Sequence, residues 1–277
     1  MKLVTFRTSD GTRAGRLDGE RVVELDAPDV GALLAGGPAA LTRAAAAQGV
    51  GRPLSEVDLA PVVPRPEKIV CVGQNYLAHI REMGSEPPRY PTLFAKYRRA
   101  LIGPRDSIVL PRVSEAIDWE AELAIVIGRP ARHLAPDEAL DAIAGFTILN
   151  DVSVRDYQRR TQQWLQGKTF ESTTPVGPAL VTRDEIGDAS DLAVRCEVDG
   201  VLMQDSRTSD LLFKPADIVS YISSIITLEP GDIIATGTPS GVGAGRTPPV
   251  FLRAGQTVRS SVEGLGELVN TCVKEGA

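Results

Sequence analysis

Histidine and cysteine are scarce in this chain of 277 residues, which has two of the first and three of the second. Cys71, Cys196 and Cys272 are odd in number and far apart. Neither a disulfide framework nor a Cys-x-x-Cys metal site fits them, and each reads as a small core residue. No Cys/His cluster is available for a soft metal. No apolar run approaches the roughly 18 residues needed to span a bilayer. Met1-Lys2-Leu3-Val4-Thr5-Phe6-Arg7 also lacks the apolar stretch of a secretory signal, so the cytoplasm is the expected compartment. Positive charge is in deficit too: 36 acidic residues against 30 basic ones give a net charge of −6. Such a surface repels phosphate backbones and anionic lipid, which sets nucleic-acid and membrane partners aside.

What the chain has in quantity is turn chemistry. Its 26 glycines and 20 prolines are too many for a helical bundle and point to short strands joined by turns. Hydrophobic residues at 43 % leave room for a sizeable core. The length suits one large domain with an appendage. Pro61-Val62-Val63-Pro64-Arg65-Pro66 can be neither helix nor central strand and marks a boundary there. Before it, Lys2–Phe6 and Leu17–Val23 read as strands, the latter with a hairpin at Asp18-Gly19, and Pro38–Ala47 as an alanine-rich helix. After it, strands are predicted at 69–72, 122–127, 146–150, 193–198, 232–236 and 256–262. Helices are predicted over 77–83, 136–143 and 218–228. The expected organisation is a small N-terminal α+β domain over residues 1–65 and a β-rich domain over 66–277.

Three places carry chemistry. Glu120 and Glu122, two apart at the start of an apolar strand, share a face. At about 5 Å and an effective dielectric of 20 they repel by roughly 3 kcal/mol. Solvent exposure, a shared proton or a bound cation would each relieve that. Asp151, where the apolar strand 146–150 ends, is an N-cap or a third carboxylate. Three carboxylates from two strands make an all-oxygen site for a hard cation such as Mg²⁺ or Mn²⁺, and Ca²⁺ takes the same oxygens. His79 and Glu82, three apart on a helix, share a face. They are a surface pair, or an imidazole oriented by a carboxylate to act as general base. His133, in a loop rich in Gly, Pro and Arg, reads as structural.

Two glycine motifs are weaker. Gly167-Lys168-Thr169 is not a phosphate loop, because Gln162 stands where that pattern needs glycine. The glycines of Thr236-Gly237-Thr238-Pro239-Ser240-Gly241-Val242-Gly243 bring backbone N–H groups toward an anion or simply make a tight loop. A small basic run, Lys96-Tyr97-Arg98-Arg99, faces either substrate or solvent.

Taken in order, these pieces resemble the fumarylacetoacetate hydrolase family. The matching residues are Gly73-Gln74-Asn75-Tyr76 with His79 and Glu82, Asp118-Trp119-Glu120-Ala121-Glu122-Leu123, and Asn150-Asp151-Val152-Ser153 with Arg155, Asp156 and Gln158. Gly167-Lys168-Thr169-Phe170 and Thr236-Gly237-Thr238-Pro239 complete the set. The likeness runs from about Lys68 to Val273. It implies a β-rich α+β fold, a mixed β-sandwich roll around a metal site with a small N-terminal domain, usually as a homodimer. By the same resemblance, Glu120, Glu122 and Asp151 match the metal ligands. His79 and Glu82 match a dyad on a mobile lid, and Arg155, Gln158, Lys168 and Thr238 match groups that bind the substrate's oxygens. Asn75 stands where the member that names the family has a fourth aspartate ligand, so the chain looks like the acylpyruvate-hydrolase branch.

The reaction that these parts imply is hydrolytic C–C cleavage of a 3-acylpyruvate or related β-diketo acid, through a metal-stabilised pyruvate enolate. His79 would activate water and Lys168 would stabilise the enolate, with donors near Gln74, Tyr76 and Thr238. Oxaloacetate decarboxylation, or isomerisation of an unsaturated 2-hydroxy-dicarboxylate, uses the same metal and enolate. A non-catalytic keto-acid binder is a third class, against which the His79–Glu82 pair argues, because a binder needs no base.

Overall fold

The strand Ala121–Ile127 is buried at all seven positions. A segment covered on both faces belongs in the middle of a sheet. The computed structural model, which describes residues 1–276, places it there. Ile143–Asn150 pairs antiparallel on one side and Ile233–Ala235 on the other. Beyond Ile233–Ala235 lie Ile69–Gly73, parallel, and then Thr92–Lys96. On the far side, Thr174–Thr182 pairs with Ile143–Asn150 and then with Lys2–Thr8. The N-terminal strands therefore continue the same eleven-stranded sheet, out to Gly11–Asp18, Arg21–Glu24 and Arg52–Pro53.

A second, five-stranded sheet runs Val201–Arg207, Ala193–Val198, Thr257–Val262, Gly266–Lys274 and Ile108–Leu110. The period-two alternation of strand side chains divides the core between its two faces. Leu123, Ile125 and Ile127 join Val194, Cys196, Val258 and Leu268 in one apolar cluster between the sheets. Ala124 and Val126 join Leu33, Leu34, Ala40 and Ala44 of the helices Val30–Ala35 and Gly37–Ala46 in another. The molecule is thus helices, large sheet and small sheet in three layers. This is the β-rich α+β class that the sequence implies.

The strands Thr92–Lys96, Val201–Arg207 and Gly266–Lys274 were not predicted from sequence, and two further differences have a local cause. Thr174–Thr182, which no periodicity marked, is a nine-residue strand bonded on both sides despite Pro175 and Pro178. The ladder to Ile143–Asn150 shifts register between Phe146 and Ile148, so Pro178 falls where no ladder N–H is required. The helix expected over 136–143 is α only at Pro136–Ala139. It tightens to a 3₁₀ turn at Leu140–Ala142, because Ile143 already begins a strand.

Leu123 is fully buried between the two sheets. Leu123→Ala is expected to cost about 2–5 kcal/mol, the range for a large-to-small core change. A fall in the urea midpoint at unchanged slope would show it, and an unchanged midpoint would contradict this account of the core.

Candidate active site

The register of one strand pair assembles the acidic cluster. Ala121 lies opposite Asn150 and Glu122 opposite Leu149. One step outward, the Asp151 N–H donates to the Glu120 carbonyl at 2.8 Å. Glu120 and Glu122 share parity on one strand, as Leu149 and Asp151 do on its neighbour, so all three carboxylates face the same way. One oxygen from each lies within 4.8 Å of the others, and all three side chains are buried.

Their partners come from elsewhere in the chain. Lys168 Nζ donates to Glu120 Oε2 at 2.7 Å and to Asp151 Oδ2 at 2.8 Å. Lys96 Nζ, itself buried, donates to Asp151 Oδ1 at 2.6 Å. Arg155 bridges Glu120 Oε1 at 2.7 Å and Asp118 Oδ2 at 2.8 Å. Four carboxylates therefore face three cations, and Glu122 is the one without a side-chain cation among the described residues. Only the Gly237 N–H, at 2.7 Å, supports it.

The electrostatics follow from this arrangement. Burial pushes the Glu120 carboxyl up, but the charges of Lys168 and Arg155 prevail and hold it at about 2. Glu122 goes the other way: burial, then Asp151 and Glu120, raise it well above the carboxylate range. Burial disfavours the Lys168 ammonium, yet Asp151 and Glu120 outweigh that and keep it firmly protonated. An all-oxygen, buried donor set with one uncompensated carboxylate fits a hard divalent cation.

The glycine loop has an explanation in the same terms. Gly237 donates to Glu122, Gly243 and Ala244 donate to Asp118, and Gly241 donates to Glu82 at 3.0 Å. The anions that its N–H groups meet are thus the protein's own side chains. Gly237 has φ +100°, and a Cβ there would lie 3.0 Å from Val72 O and from Asn75 Cβ. Gly167 is explained by packing, since a Cβ would lie 2.4 Å from the Gln158 backbone nitrogen. That close approach of Leu165–Lys168 to Arg155–Gln158 brings Lys168 against the carboxylates.

A cavity of about 370 Å³ opens beside the cluster. Among the residues that line it are Gln74, His79, Glu120, Glu122, Arg155, Gln158, Lys168 and Thr238. His79, on the helix Leu77–Glu82, meets Glu82 Oε2 through Nδ1 at 2.8 Å. Gln74 holds φ +55°, an uncommon backbone state for a non-glycine residue and one that clusters at functional sites. Arg155 Nη1 reaches Gln158 Oε1 at 3.0 Å, while its buried Nη2 has no partner among the described residues. The Thr238 hydroxyl donates to the Ala121 carbonyl and accepts from Gln204.

Asp151 and Glu82 stand behind the lining, the first against the lysines and the second against His79. Tyr76 is fully buried and does not line the cavity, and its hydroxyl has no partner among the described residues. Three supporting residues were not singled out from sequence. Asp118 takes the Arg155 guanidinium and three backbone N–H groups. Lys96 points inward while Tyr97, Arg98 and Arg99 are exposed, which resolves the basic run. Gln204, from the small sheet, braces Ala121 and Thr238. The Asp118-Trp119-Glu120 motif was a signal for the first, and the basic run a partial one for the second.

Comparison with known proteins agrees with this geometry. The family model described as "Fumarylacetoacetate (FAA) hydrolase C-terminal" matches residues 68–273, and one described as "Rv2993c-like, N-terminal" matches residues 1–61. The chain is 47 % identical over 233 residues to an oxaloacetate tautomerase of Bos taurus whose name marks it as mitochondrial. The match covers 83 % of this chain and 74 % of that protein. Among solved structures, it is similar to a fumarylacetoacetate hydrolase from Exiguobacterium antarcticum, with TM-score 0.88, 33 % identity, 99 % of this chain and 100 % of that one. It is likewise similar to a 5-carboxymethyl-2-hydroxymuconate delta-isomerase from Mycobacterium smegmatis, with TM-score 0.81, 38 % identity and all of both chains covered. No helix of the described residues is long and apolar enough to cross a membrane.

Glu122 is the carboxylate whose charge the metal-free fold tolerates least. Glu122→Gln is therefore expected to melt at or above the wild-type temperature in EDTA. At a divalent concentration a hundredfold above Kd, the wild type should gain about 2.7 kcal/mol and the variant close to nothing. A thermal unfolding series with Mg²⁺ and Mn²⁺ checks both, and a variant that keeps the wild-type shift would remove Glu122 from the ligand set.

Proposed function

The chain belongs to the fumarylacetoacetate hydrolase family, and from that premise we propose an enzyme that enolises a small 2-oxo acid of the oxaloacetate type. The reaction moves a proton between the carbon beside a ketone and the ketone's oxygen. One observation carries this reading: a carboxylate-oriented histidine and a carboxylate–ammonium cluster line the same cavity of about 370 Å³. The first can take a proton from carbon and the second can hold the negative charge that results. The 47 % identity to a protein named as an oxaloacetate tautomerase supports that substrate class.

Glu120, Glu122 and Asp151 would hold Mg²⁺ or Mn²⁺, which supplies Lewis-acid polarisation of the substrate's 1-carboxylate and 2-oxo oxygens. His79 has Nδ1 engaged by Glu82, which leaves Nε2 as the atom that takes the C3 proton. The electron pair of that C–H bond becomes the C2–C3 double bond, and the carbonyl π pair moves onto the 2-oxo oxygen. Lys168, kept charged by Asp151 and Glu120, is a preorganised donor for this oxygen. Returning the proton from His79 to oxygen completes the enol, and the reverse sequence gives the ketone. Arg155 Nη2 and the Gln158 amide nitrogen offer further donors to the substrate's carboxylate.

A second reading keeps the same residues and uses His79 to activate water. Attack on the distal ketone of a 3-acylpyruvate would then break the C–C bond and release the same enolate. Likeness to a protein named fumarylacetoacetate hydrolase supports it.

The product distinguishes the readings. With Mg²⁺, a tautomerase accelerates the loss of enol absorbance of oxaloacetate without releasing pyruvate. A hydrolase releases pyruvate and acetate from acetylpyruvate, and a decarboxylase releases pyruvate and CO₂ from oxaloacetate. His79→Ala is expected to slow the dominant reaction by roughly 10²–10⁴-fold, the usual worth of a general base. Full activity in that variant would remove His79 from the chemistry.

A further inference from the structure

Charge bookkeeping around the cavity leaves one cation unassigned. Of the basic side chains that line it, Lys168 is paired with Glu120 and Asp151, Arg155 with Asp118 and Glu120, and His79 with Glu82. Arg159 also lines the cavity, and it has no carboxylate partner among the described residues. Its neighbour Arg160 is committed elsewhere, with its guanidinium 3.3 Å from the centroid of the Tyr157 ring and outside the lining.

The backbone fixes where Arg159 begins. It directly follows the helix Arg155–Gln158, and its N–H donates to the Arg155 carbonyl at 3.1 Å. Arg155 and Arg159 are therefore neighbours one turn apart on the same face, about 5–6 Å between Cβ atoms. Arg155 belongs to the end of the cavity that holds the carboxylate cluster, and Arg159 begins one turn further on. Arg159 is exposed and lines the cavity, so its guanidinium is free to meet a carboxylate on the side of a bound four- or five-carbon dicarboxylate away from the cluster. A guanidinium is also the donor whose planar fork matches a carboxylate.

We infer that Arg159 is a specificity-determining residue that receives the distal carboxylate of a 2-oxo dicarboxylate, and so favours such substrates over 2-oxo acids with an uncharged tail. This rests on the 2-oxo acid reading of the site proposed above. The fourth carbon's carboxylate is the only charged group of oxaloacetate left without a partner once its 1-carboxylate and 2-oxo group meet the cluster.

The test compares wild type, Arg159→Gln and Arg159→Lys, all loaded with Mg²⁺. Kinetics are measured on oxaloacetate and acetylpyruvate, and calorimetric binding on oxaloacetate and oxalate, which lacks a distal carboxylate. In Arg159→Gln, the ratio of kcat/KM for oxaloacetate to that for acetylpyruvate is expected to fall about tenfold, through KM more than kcat. Oxaloacetate affinity should fall by a similar factor relative to oxalate affinity. Arg159→Lys, which keeps the charge and loses the fork, should fall between the two. An unchanged ratio, or equal losses on both ligands, would overturn the assignment. If the wild type turns over neither substrate, the proposed function fails, and the binding comparison still decides the role of Arg159.

Discussion

The structure turns on an imbalance of buried charge. Asp118, Glu120, Glu122 and Asp151 are all withdrawn from water, and among the described residues only Lys96, Arg155 and Lys168 answer them. Uncompensated buried charge is among the costliest features that a fold can contain. The surrounding architecture is arranged to hold it: two strands present the carboxylates on one face, and a strand and two short helical segments deliver the cations. A glycine loop supplies the backbone donors that remain. The imbalance that survives, at Glu122, is what makes the place receptive to a cation.

This dependence explains which parts of the site were legible in the sequence. Glu120 and Glu122 could be put on one face because strand periodicity is local, and Asp151 could be added because an apolar strand ended just before it. The pairing of those strands, Ala121 against Asn150, is a tertiary fact that spacing suggested but did not contain. Lys96 was seen only as part of a basic run. Its neighbours Tyr97, Arg98 and Arg99 face outward, and nothing in the tetrad distinguishes the residue that turns in. Gln204 was invisible for a stronger reason, since it reaches the site from the small sheet, more than eighty positions from Ala121.

At the level of the fold, apolar alternation and turn residues located central strands such as Ile69–Gly73, Ala121–Ile127 and Ile143–Asn150; Thr92–Lys96, Val201–Arg207 and Gly266–Lys274 escaped, and so did Thr174–Thr182. It is a central strand carrying two prolines, and the register break that accommodates Pro178 exists only once its partner is in place. Residues 61–66 form neither helix nor strand, as their prolines led one to expect. The pairing of Leu3 with Leu180, which carries the N-terminal strands onto the main sheet, was not legible, because contacts across such a separation leave no mark in local composition.

The cavity has two kinds of wall. The triad stands at the ends of central strands, with Glu122 inside the Ala121–Ile127 ladder, Glu120 and Asp151 one residue outside theirs, and all three side chains buried. Met83 and Ser85 just beyond the short helix, and Arg159, Thr161 and Trp164 on the connecting segment, belong to stretches that no ladder restrains. Substitutions in those stretches can reshape the cavity without disturbing the carboxylate cluster. A lineage built this way can vary the mouth of its cavity while the buried cluster stays constant. Relatives of one architecture can then carry the names of a tautomerase, a hydrolase and an isomerase.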